Sequence, residues 1–242
     1  MEQRRELHNG DTPTALGALE AALIECRLCP RLVAWREEVA ETKRAAFASE
    51  DYWGKPVPGF GDPMARVVII GLAPAAHGAN RTGRMFTGDR SGDWLYRSLH
   101  SVGLASQPLS TAIGDGMQLT DAWITAPVRC APPQNKPTPA ERGNCSHWMD
   151  AELELLTEAK VFVVLGQIGY HALWAHFARK DRPLPRPRPR FAHGVELELD
   201  GVSLLMSYHV SQQNTFTGRL TAPMLDAVLG RAVQIAASST DY

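Results

Sequence analysis

The stretch "ARVVIIGLA", residues 65–73, contains a short run of apolar, β-branched side chains that ends at a glycine. A run of this length and composition predicts a strand that is buried on both faces of a sheet. Two further runs, "DAWITAPV" (121–128) and "AKVFVVLG" (159–166), have the same character. Helical segments alternate with these strands, so the sequence predicts an α/β fold in which helices cover both faces of a parallel sheet.

The remaining elements follow from local signals. Helices are expected over 14–25, after Cys29, from Asp93 to Leu104, from about Thr138, after Gly166 and over about 220–237. Thr138 is followed three residues later by Glu141, which predicts a capping box. The segment "GVELELDGVSLLMSYH" (194–209) predicts a hairpin with its turn at Asp200-Gly201. We expect residues 1–13 to form a tail and residues 14–242 to form a single domain.

Composition excludes several classes of protein. The 242-residue chain is 44% hydrophobic with a formal charge of −1, which allows a packed core and argues against a uniformly basic nucleic-acid coat. No apolar stretch approaches the roughly 18–20 residues of a membrane span. The first residues lack the apolar core of a signal peptide, so we expect a cytoplasmic protein that contacts no membrane.

The loop after the first strand is unusual. "GLAPAAHGANRTGRMFTGD" (71–89) holds four glycines and two arginines, and its single acidic residue is the last. Ligands of parallel sheets bind at the carboxyl ends of the strands. The segments expected at that edge are 71–89, 125–130, Gly166 and 209–214, so we predict the functional site there.

Four cysteines form a second signal: Cys26, Cys29, Cys130 and Cys145. In a reducing compartment, four thiols are more typical of a metal site than of two disulfides. Four thiolates suit zinc or an iron–sulfur cluster, and four unrelated buried cysteines are the alternative. Fourteen residues separate the last two cysteines. This wide spacing favours a cluster, whose role need be no more than structural.

The order and spacing of the motifs carry a family resemblance. CxxC is followed by a strand ending in GLAP, then by GRMFTGD, ITAPVRCAPPQNKP, a further cysteine and HVS. Over about residues 23–235 the chain resembles the iron–sulfur branch of the uracil-DNA glycosylase superfamily, most closely the family 5 type. The resemblance implies a three-layer α/β/α domain with a four-stranded, mainly parallel sheet. It also implies a [4Fe–4S] cluster on the four cysteines that staples the N-terminal helix.

The resemblance further implies an activity and a partner. The expected reaction is excision of uracil from double-stranded DNA by a monofunctional enzyme. We also expect a monomer, and the departure at Ala126 described below extends the expected lesions to other deaminated bases such as hypoxanthine. In a prokaryote it would work at the nucleoid. Phe86 would stack on the everted base, and His209 would donate to the base O2 as negative charge develops. Ser211 and Gln212 would hold a phosphate. Phe86 as a loop anchor and His209 as a structural residue are the alternatives.

Two alanines depart from the pattern of the wider superfamily. Ala73, beside Gly71 in the base-binding wall, stands where many relatives orient the attacking water with a polar side chain. Asn80 and Asn214 are the uncharged residues that we expect to take over this task, although either suits a turn or a DNA contact. Ala126 replaces a base-reading asparagine, which predicts a wider range of lesions.

Charged residues complete the predictions. Arg81 and Arg84 are expected to face DNA phosphates, with surface ion pairs as the alternative. Asp89 suits the cap of the next helix. The segment "RKDRPLPRPRPRF" (179–191) holds five arginines and a lysine, and it is read as an extended loop that either tracks DNA or is only solvated.

Three competing functions remain open from the residues. The first is a protein that binds DNA damage without catalysis, since Ala73 and Ala126 both remove polar groups. The second is a zinc-stapled α/β hydrolase acting on nucleotides. The third, a minor option, is a redox role for the cluster.

Overall fold

The computed structural model describes residues 12–238. Within them, eight α-helices are found: α1 (Thr12–Ile24), α2 (Pro30–Thr42), α3 (Ala79–Thr82), α4 (Arg90–Ser101), α5 (Pro139–Leu155), α6 (Gln167–Arg179), α7 (Gln212–Phe216) and α8 (Ala222–Ser238). Six strands accompany them: β1 (Phe60–Gly61), β2 (Val67–Ile70), β3 (Ala122–Thr125), β4 (Val161–Leu165), β5 (Glu196–Leu199) and β6 (Val202–Ser207). Strands and helices alternate along most of the chain, as the sequence predicts.

All six strands belong to one sheet, in the order β1-β3-β2-β4-β6-β5. The four inner strands are parallel, and β1 and β5 pair antiparallel at the two edges. The expectation of a four-stranded sheet is therefore corrected to four parallel strands plus two edge strands. β1 has only two residues, in a proline- and glycine-rich loop, and so leaves no periodic signal in the sequence.

Helices cover both faces of the sheet, which gives three layers. Val67 and Ile69 of β2 pack in one core with residues of α4 and α8. Val68 and Ile70 point to the opposite face, where they pack with residues of α1, α5 and α6. All four side chains are fully buried. This double burial explains why the strand reads as a continuous apolar run rather than as an alternating one.

Local signals in the sequence are confirmed. Thr138 and Glu141 form a reciprocal capping box at the start of α5. Asp200 and Gly201 both have positive φ and connect β5 to β6. Residues 180–194 contain no helix or strand, as expected for the Arg/Pro segment. Of the tail predicted over residues 1–13, residues 1–11 lie outside the described part of the chain. Thr12 and Pro13 belong to α1.

The carboxyl ends of the four parallel strands meet at one edge of the sheet. Loop 71–78 follows β2, the segment from Ala126 follows β3, Gly166 follows β4 and the segment from Tyr208 follows β6. This edge, called the carboxyl edge below, is the one predicted to hold the site. No helix between residues 12 and 238 combines the length and apolar character that crossing a bilayer requires.

A buried ion pair fixes the end of β3. Arg129 and Glu152 are 1% and 4% exposed in their side chains, and Arg129 Nη2 lies 2.6 Å from Glu152 Oε2. The same carboxylate accepts a hydrogen bond from the Thr125 hydroxyl. The backbone N–H of Arg129 donates to Cys145 Sγ. The pair therefore joins α5, the end of β3 and the segment that leads to Cys130.

We predict that Glu152→Ala destabilises the fold by about 3–5 kcal/mol, because it leaves the Arg129 guanidinium buried and unpaired. The measurement is the free energy of unfolding in urea. Glu154→Ala is the matched control on the same helix, since Glu154 forms an exposed pair with Lys180 and its loss costs at most about 1 kcal/mol. Equal costs for the two variants would contradict the role given to the buried pair.

Candidate active site

A cavity of about 560 Å³ opens at the carboxyl edge. Three segments of the chain and the first turn of α4 form its wall. The lining residues are Leu72, Ala73, Pro74, Ala75, Ala79, Met85, Phe86, Asp89, Arg90, Ser91, Gln134, Asn135, Lys136, His209, Ser211, Gln212 and Gln213. A volume in this range is typical of small-molecule sites. Five of the predicted site residues therefore share one cavity: Ala73, Phe86, His209, Ser211 and Gln212.

Phe86 and His209 face each other with ring centroids 6.2 Å apart. Phe86 has a φ of 52°, a left-handed conformation that a bulky side chain rarely adopts. Two glycines make this conformation possible. A Cβ at Gly71 would lie 2.8 Å from the Phe86 ring, and one at Gly92 would lie 1.8 Å from its carbonyl oxygen. Gly71 thus supports the aromatic ring from behind, rather than contacting a ligand itself.

His209 follows the last parallel strand and is half-buried at the cavity. Its backbone carbonyl accepts a 2.8 Å hydrogen bond from Asn214 Nδ2. Gly166, with a φ of 90°, leaves the space that the histidine occupies, since a Cβ there would lie 3.1 Å from His209 Cβ. Burial lowers the pKa of His209 to about 4. Its imidazole is therefore neutral at pH 7 and can donate one N–H.

Asp89 is the one carboxylate among the residues that line the cavity. It caps α4, as the sequence predicts, because its Oδ1 accepts a 2.9 Å hydrogen bond from the N–H of Gly92. Burial raises its pKa above the usual aspartate value. Gly78 packs against its other oxygen, and a Cβ at Gly78 would lie 2.0 Å from Oδ2. The capping role hides this residue in the sequence, because a cap alone explains an aspartate before a helix.

The two asparagines expected to hold a water molecule are not part of the cavity wall. Asn80 is fully buried, and its Nδ2 donates to the carbonyl of Arg36 at 3.2 Å. Asn214 instead supports the backbone of His209. The expectation for these two residues does not agree with their positions, and Asp89 is the better placed side chain.

Arg81 and Arg84 are inside the domain, with 7% of each side chain exposed. Arg81 pairs with Glu50 and donates to the Gly88 carbonyl, and Arg84 pairs with Asp115 at 2.7 Å. Their guanidinium groups hold the 78–89 loop and do not face outward to DNA phosphates, so this prediction is corrected. Ala126 is 1% exposed within the core and does not line the cavity, so its effect on a ligand can only be indirect.

Cations with no carboxylate partner among residues 12–238 lie in the cavity wall or in the Arg/Pro segment. Arg90 and Lys136 line the cavity, and no ion pair involves either of them in the described part of the chain. The exposed residues Arg186 and Arg188 of the Arg/Pro segment likewise lack a carboxylate partner there. This segment is held to the first turn of α6, because the Tyr170 hydroxyl donates to the Pro189 carbonyl at 2.7 Å. Positive charge therefore borders the carboxyl edge in spite of the near-neutral total.

The four cysteines surround a second, smaller cavity behind α2. Three nitrogen donors reach their sulfurs: Arg36 Nη1 contacts Cys130 Sγ at 2.9 Å, Arg129 N contacts Cys145 Sγ at 3.3 Å, and Asn144 Nδ2 contacts Cys29 Sγ at 3.8 Å. Across residues 12–238, no three His, Cys, Asp or Glu side chains are grouped closely enough to hold a metal ion.

Comparison with known proteins identifies relatives along most of the chain. A family model described as "Uracil DNA glycosylase superfamily" matches residues 58–231. A Mycobacterium bovis protein named Type-5 uracil-DNA glycosylase is 55% identical over 220 residues, which cover 90% of this chain and 81% of that protein. A Thermus thermophilus protein of the same name is 54% identical over 90% of this chain and 97% of its own. A Pyrobaculum aerophilum protein, also of that name, is 44% identical over 87% and 88%.

We predict that Gly71→Ala and Gly78→Ala each destabilise the fold by about 1–3 kcal/mol, because the added methyl group displaces the Phe86 ring or the Asp89 carboxylate. The measurement is the midpoint of urea unfolding. The control is Gly17→Ala in α1, where nothing lies within 4 Å of the new Cβ and helix propensity favours alanine. Unchanged unfolding midpoints in both variants would show that neither the Gly71–Phe86 contact nor the Gly78–Asp89 contact constrains the site.

Proposed function

The chain belongs to the uracil DNA glycosylase superfamily, and we propose that it excises uracil from DNA by hydrolysing the bond between the base and the deoxyribose. The observation that carries this function is the cavity in which an aromatic ring and a neutral histidine face each other at the carboxyl edge. Identity of 54–55% to proteins named Type-5 uracil-DNA glycosylase supports it independently.

The base must leave the duplex before it can enter such a cavity. Phe86 presents its ring to the cavity and stacks on the everted base. His209 lies across from it at 6.2 Å between ring centroids and donates one hydrogen bond to a base carbonyl. This donor matters most in the transition state, because negative charge collects on the departing base as the glycosidic bond lengthens.

Asp89, rather than Asn80 or Asn214, orients the attacking water molecule. A carboxylate beside the sugar stabilises the positive charge that develops there and accepts a proton from the attacking water. The water oxygen bonds to C1′ of the deoxyribose, while the electrons of the C1′–N bond leave with the base. The base anion then takes up a proton, and the products are free uracil and an abasic site. The raised pKa of Asp89 makes it a better proton acceptor than a solvent-exposed aspartate.

Small side chains favour a broad range of lesions. Ala73 and Ala75 line the cavity where a larger polar residue would narrow it and select one base edge. Ala126 stands where related families carry a base-reading asparagine, so no buried amide at this position is left unpaired by the wrong base, and discrimination between bases is weaker. We therefore extend the proposed substrates to other deaminated bases, including hypoxanthine, in double-stranded DNA. We further propose a monomer that acts in the cytoplasm at the nucleoid.

Although no three ligand side chains in the described residues are close enough for a single metal ion, the surroundings of the four cysteines fit a [4Fe–4S] cluster, in which each thiolate binds a different iron. Arg36 is 2% exposed, and its nearest carboxylate, that of Glu37, is 3.9 Å away. A buried guanidinium requires nearby negative charge, and a cluster on four thiolates supplies it. Cys26, Cys29, Cys130 and Cys145 would hold the group, which would cross-link the N-terminal helices to α5 and to the segment before it.

The function is tested by single-turnover excision from a duplex that contains one uracil. We expect excision by the protein and a loss of about 10²-fold or more in Asp89→Asn, because the amide cannot accept the proton of water. Asp93→Asn is the control, since Asp93 is exposed on the same helical turn. A protein that binds the duplex without releasing uracil would favour a damage-binding role, and normal rates in Asp89→Asn would remove Asp89 from the mechanism.

Salt dependence tests whether the Arg/Pro segment contacts DNA. We expect simultaneous exchange of Arg186, Arg188 and Arg190 for Gln to flatten the slope of log affinity against log salt by about 0.9 for each phosphate that the protein no longer neutralises. The matched control is Arg231→Gln, which removes an equally exposed cation that pairs with Glu196. An unchanged slope in the triple variant would show that the Arg/Pro segment is only solvated.

A further inference from the structure

The wall of the cavity includes a turn with an uncommon backbone. Gln134 has a φ of 55° and a ψ of 23°, and Asn135 has a φ of 57°. Asparagine enters the left-handed region more readily than most residues, but a glutamine there is uncommon, and such a backbone persists only where the surrounding structure imposes it. Residues 134–136, called the amide turn below, are exposed and line the cavity.

The amide turn presents free polar groups. Within residues 12–238, neither the Gln134 nor the Asn135 side chain makes a hydrogen bond, and the ammonium group of Lys136 has no carboxylate partner. Two amides and a cation, with no acid among them, suit the anionic sugar–phosphate backbone of a nucleic acid better than they suit an apolar or cationic ligand. The strained backbone thus orients donors that nothing in the described part of the protein uses.

One arginine fixes this turn. Arg31 lies in the first turn of α2, two residues after Cys29, and its Nη2 donates to the Lys136 carbonyl at 3.2 Å. Its Nε and Nη2 also donate to the Glu141 carboxylate at 2.7 Å each. Glu141 in turn caps α5. A single guanidinium therefore joins the cysteine-bearing N-terminal segment to the turn and to the helix that follows it.

We propose that the amide turn grips the lesion-bearing strand beside the everted nucleotide, and that Arg31 is the positioning residue that holds the turn in its binding conformation. This inference rests on the proposed function, because it assumes a DNA strand at the carboxyl edge. Gln134, Asn135 and Lys136 contact sugar and phosphate, so the grip is independent of base sequence. Arg31 does not touch the DNA and acts only through the turn.

A double-mutant cycle tests this arrangement. Its variants are Arg31→Gln, the pair Gln134→Ala with Asn135→Ala, and the combination of all three changes, each in the full-length, iron-loaded protein. Arg31→Gln and the Gln134→Ala, Asn135→Ala pair should each weaken binding of a uracil duplex by about five-fold or more, as expected for the loss of one or two hydrogen bonds. Excision at saturating enzyme should change by less than about two-fold, since the chemistry lies elsewhere in the cavity.

The combined variant is decisive. If Arg31 acts through the turn, the combined loss of affinity will be smaller than the product of the two separate losses. Arg31→Lys should restore only part of the binding, because an ammonium group cannot contact the carboxylate and the carbonyl as a fork. The matched control is Arg27→Gln, which removes the comparable Arg27–Glu37 pair near the start of the same helix and should bind DNA normally.

Three outcomes would overturn the proposal. The first is a combined loss of affinity equal to the product of the two separate losses, which would show that Arg31 does not act through the amide turn. The second is a fall in iron content or visible absorbance in Arg31→Gln, in proportion to its affinity, which would show that it acts through the cluster instead. The third is that the variants bind the uracil duplex as tightly as the unaltered protein. These outcomes are separable from a failure of the proposed function, because the unaltered protein is first shown to release uracil. If it does so, they contradict only the contact proposed for the amide turn.

Discussion

The parallel pairing of β2 with β3 on one side and β4 on the other is the constraint on which the site depends. Because all four inner strands run in the same direction, their carboxyl ends must open at the same edge, and the loops that follow them are brought together there. β2 is buried on both faces, so a shift of its register by one residue would place Val67–Ile70 in the wrong cores, against helices that do not fit them. The position of the cavity is thus set by the core, and its chemistry by the loops.

Within that frame, close approaches between backbone and side chain define the reactive groups. Gly71 leaves room for the Phe86 ring, Gly92 for the Phe86 carbonyl, and Gly78 for the Asp89 carboxylate. A single methyl group at any of these glycines would prevent the approach. Glycines at these positions leave the space that the Phe86 and Asp89 side chains occupy. This explains why the loop after β2 is rich in glycine. The two arginines of that loop have a different purpose, since they hold it from inside through Glu50 and Asp115.

Sequence reasoning reached the elements whose signals are local. The buried strands, the Thr138 cap and the Asp200-Gly201 turn each depend on a few neighbouring residues, and the structure confirms them. The roles assigned to Phe86 and His209 came from family resemblance, not from periodicity. Ion pairs between residues distant in sequence, such as Arg84 with Asp115, were not predicted. A single sequence does not indicate which arginine forms an ion pair inside the fold.

The cavity wall has a consequence for the energetics of the whole chain. Its contributors lie near residues 73, 89, 135 and 209, so the wall exists only when distant parts of the polypeptide have assembled. A ligand that occupies it binds the native state and not the unfolded one, and by mass action it raises the apparent stability of the entire domain. Under the function proposed above, a duplex that holds its everted base in this cavity would therefore slow global unfolding of the domain, and with it any proteolysis or thermal inactivation that requires unfolding.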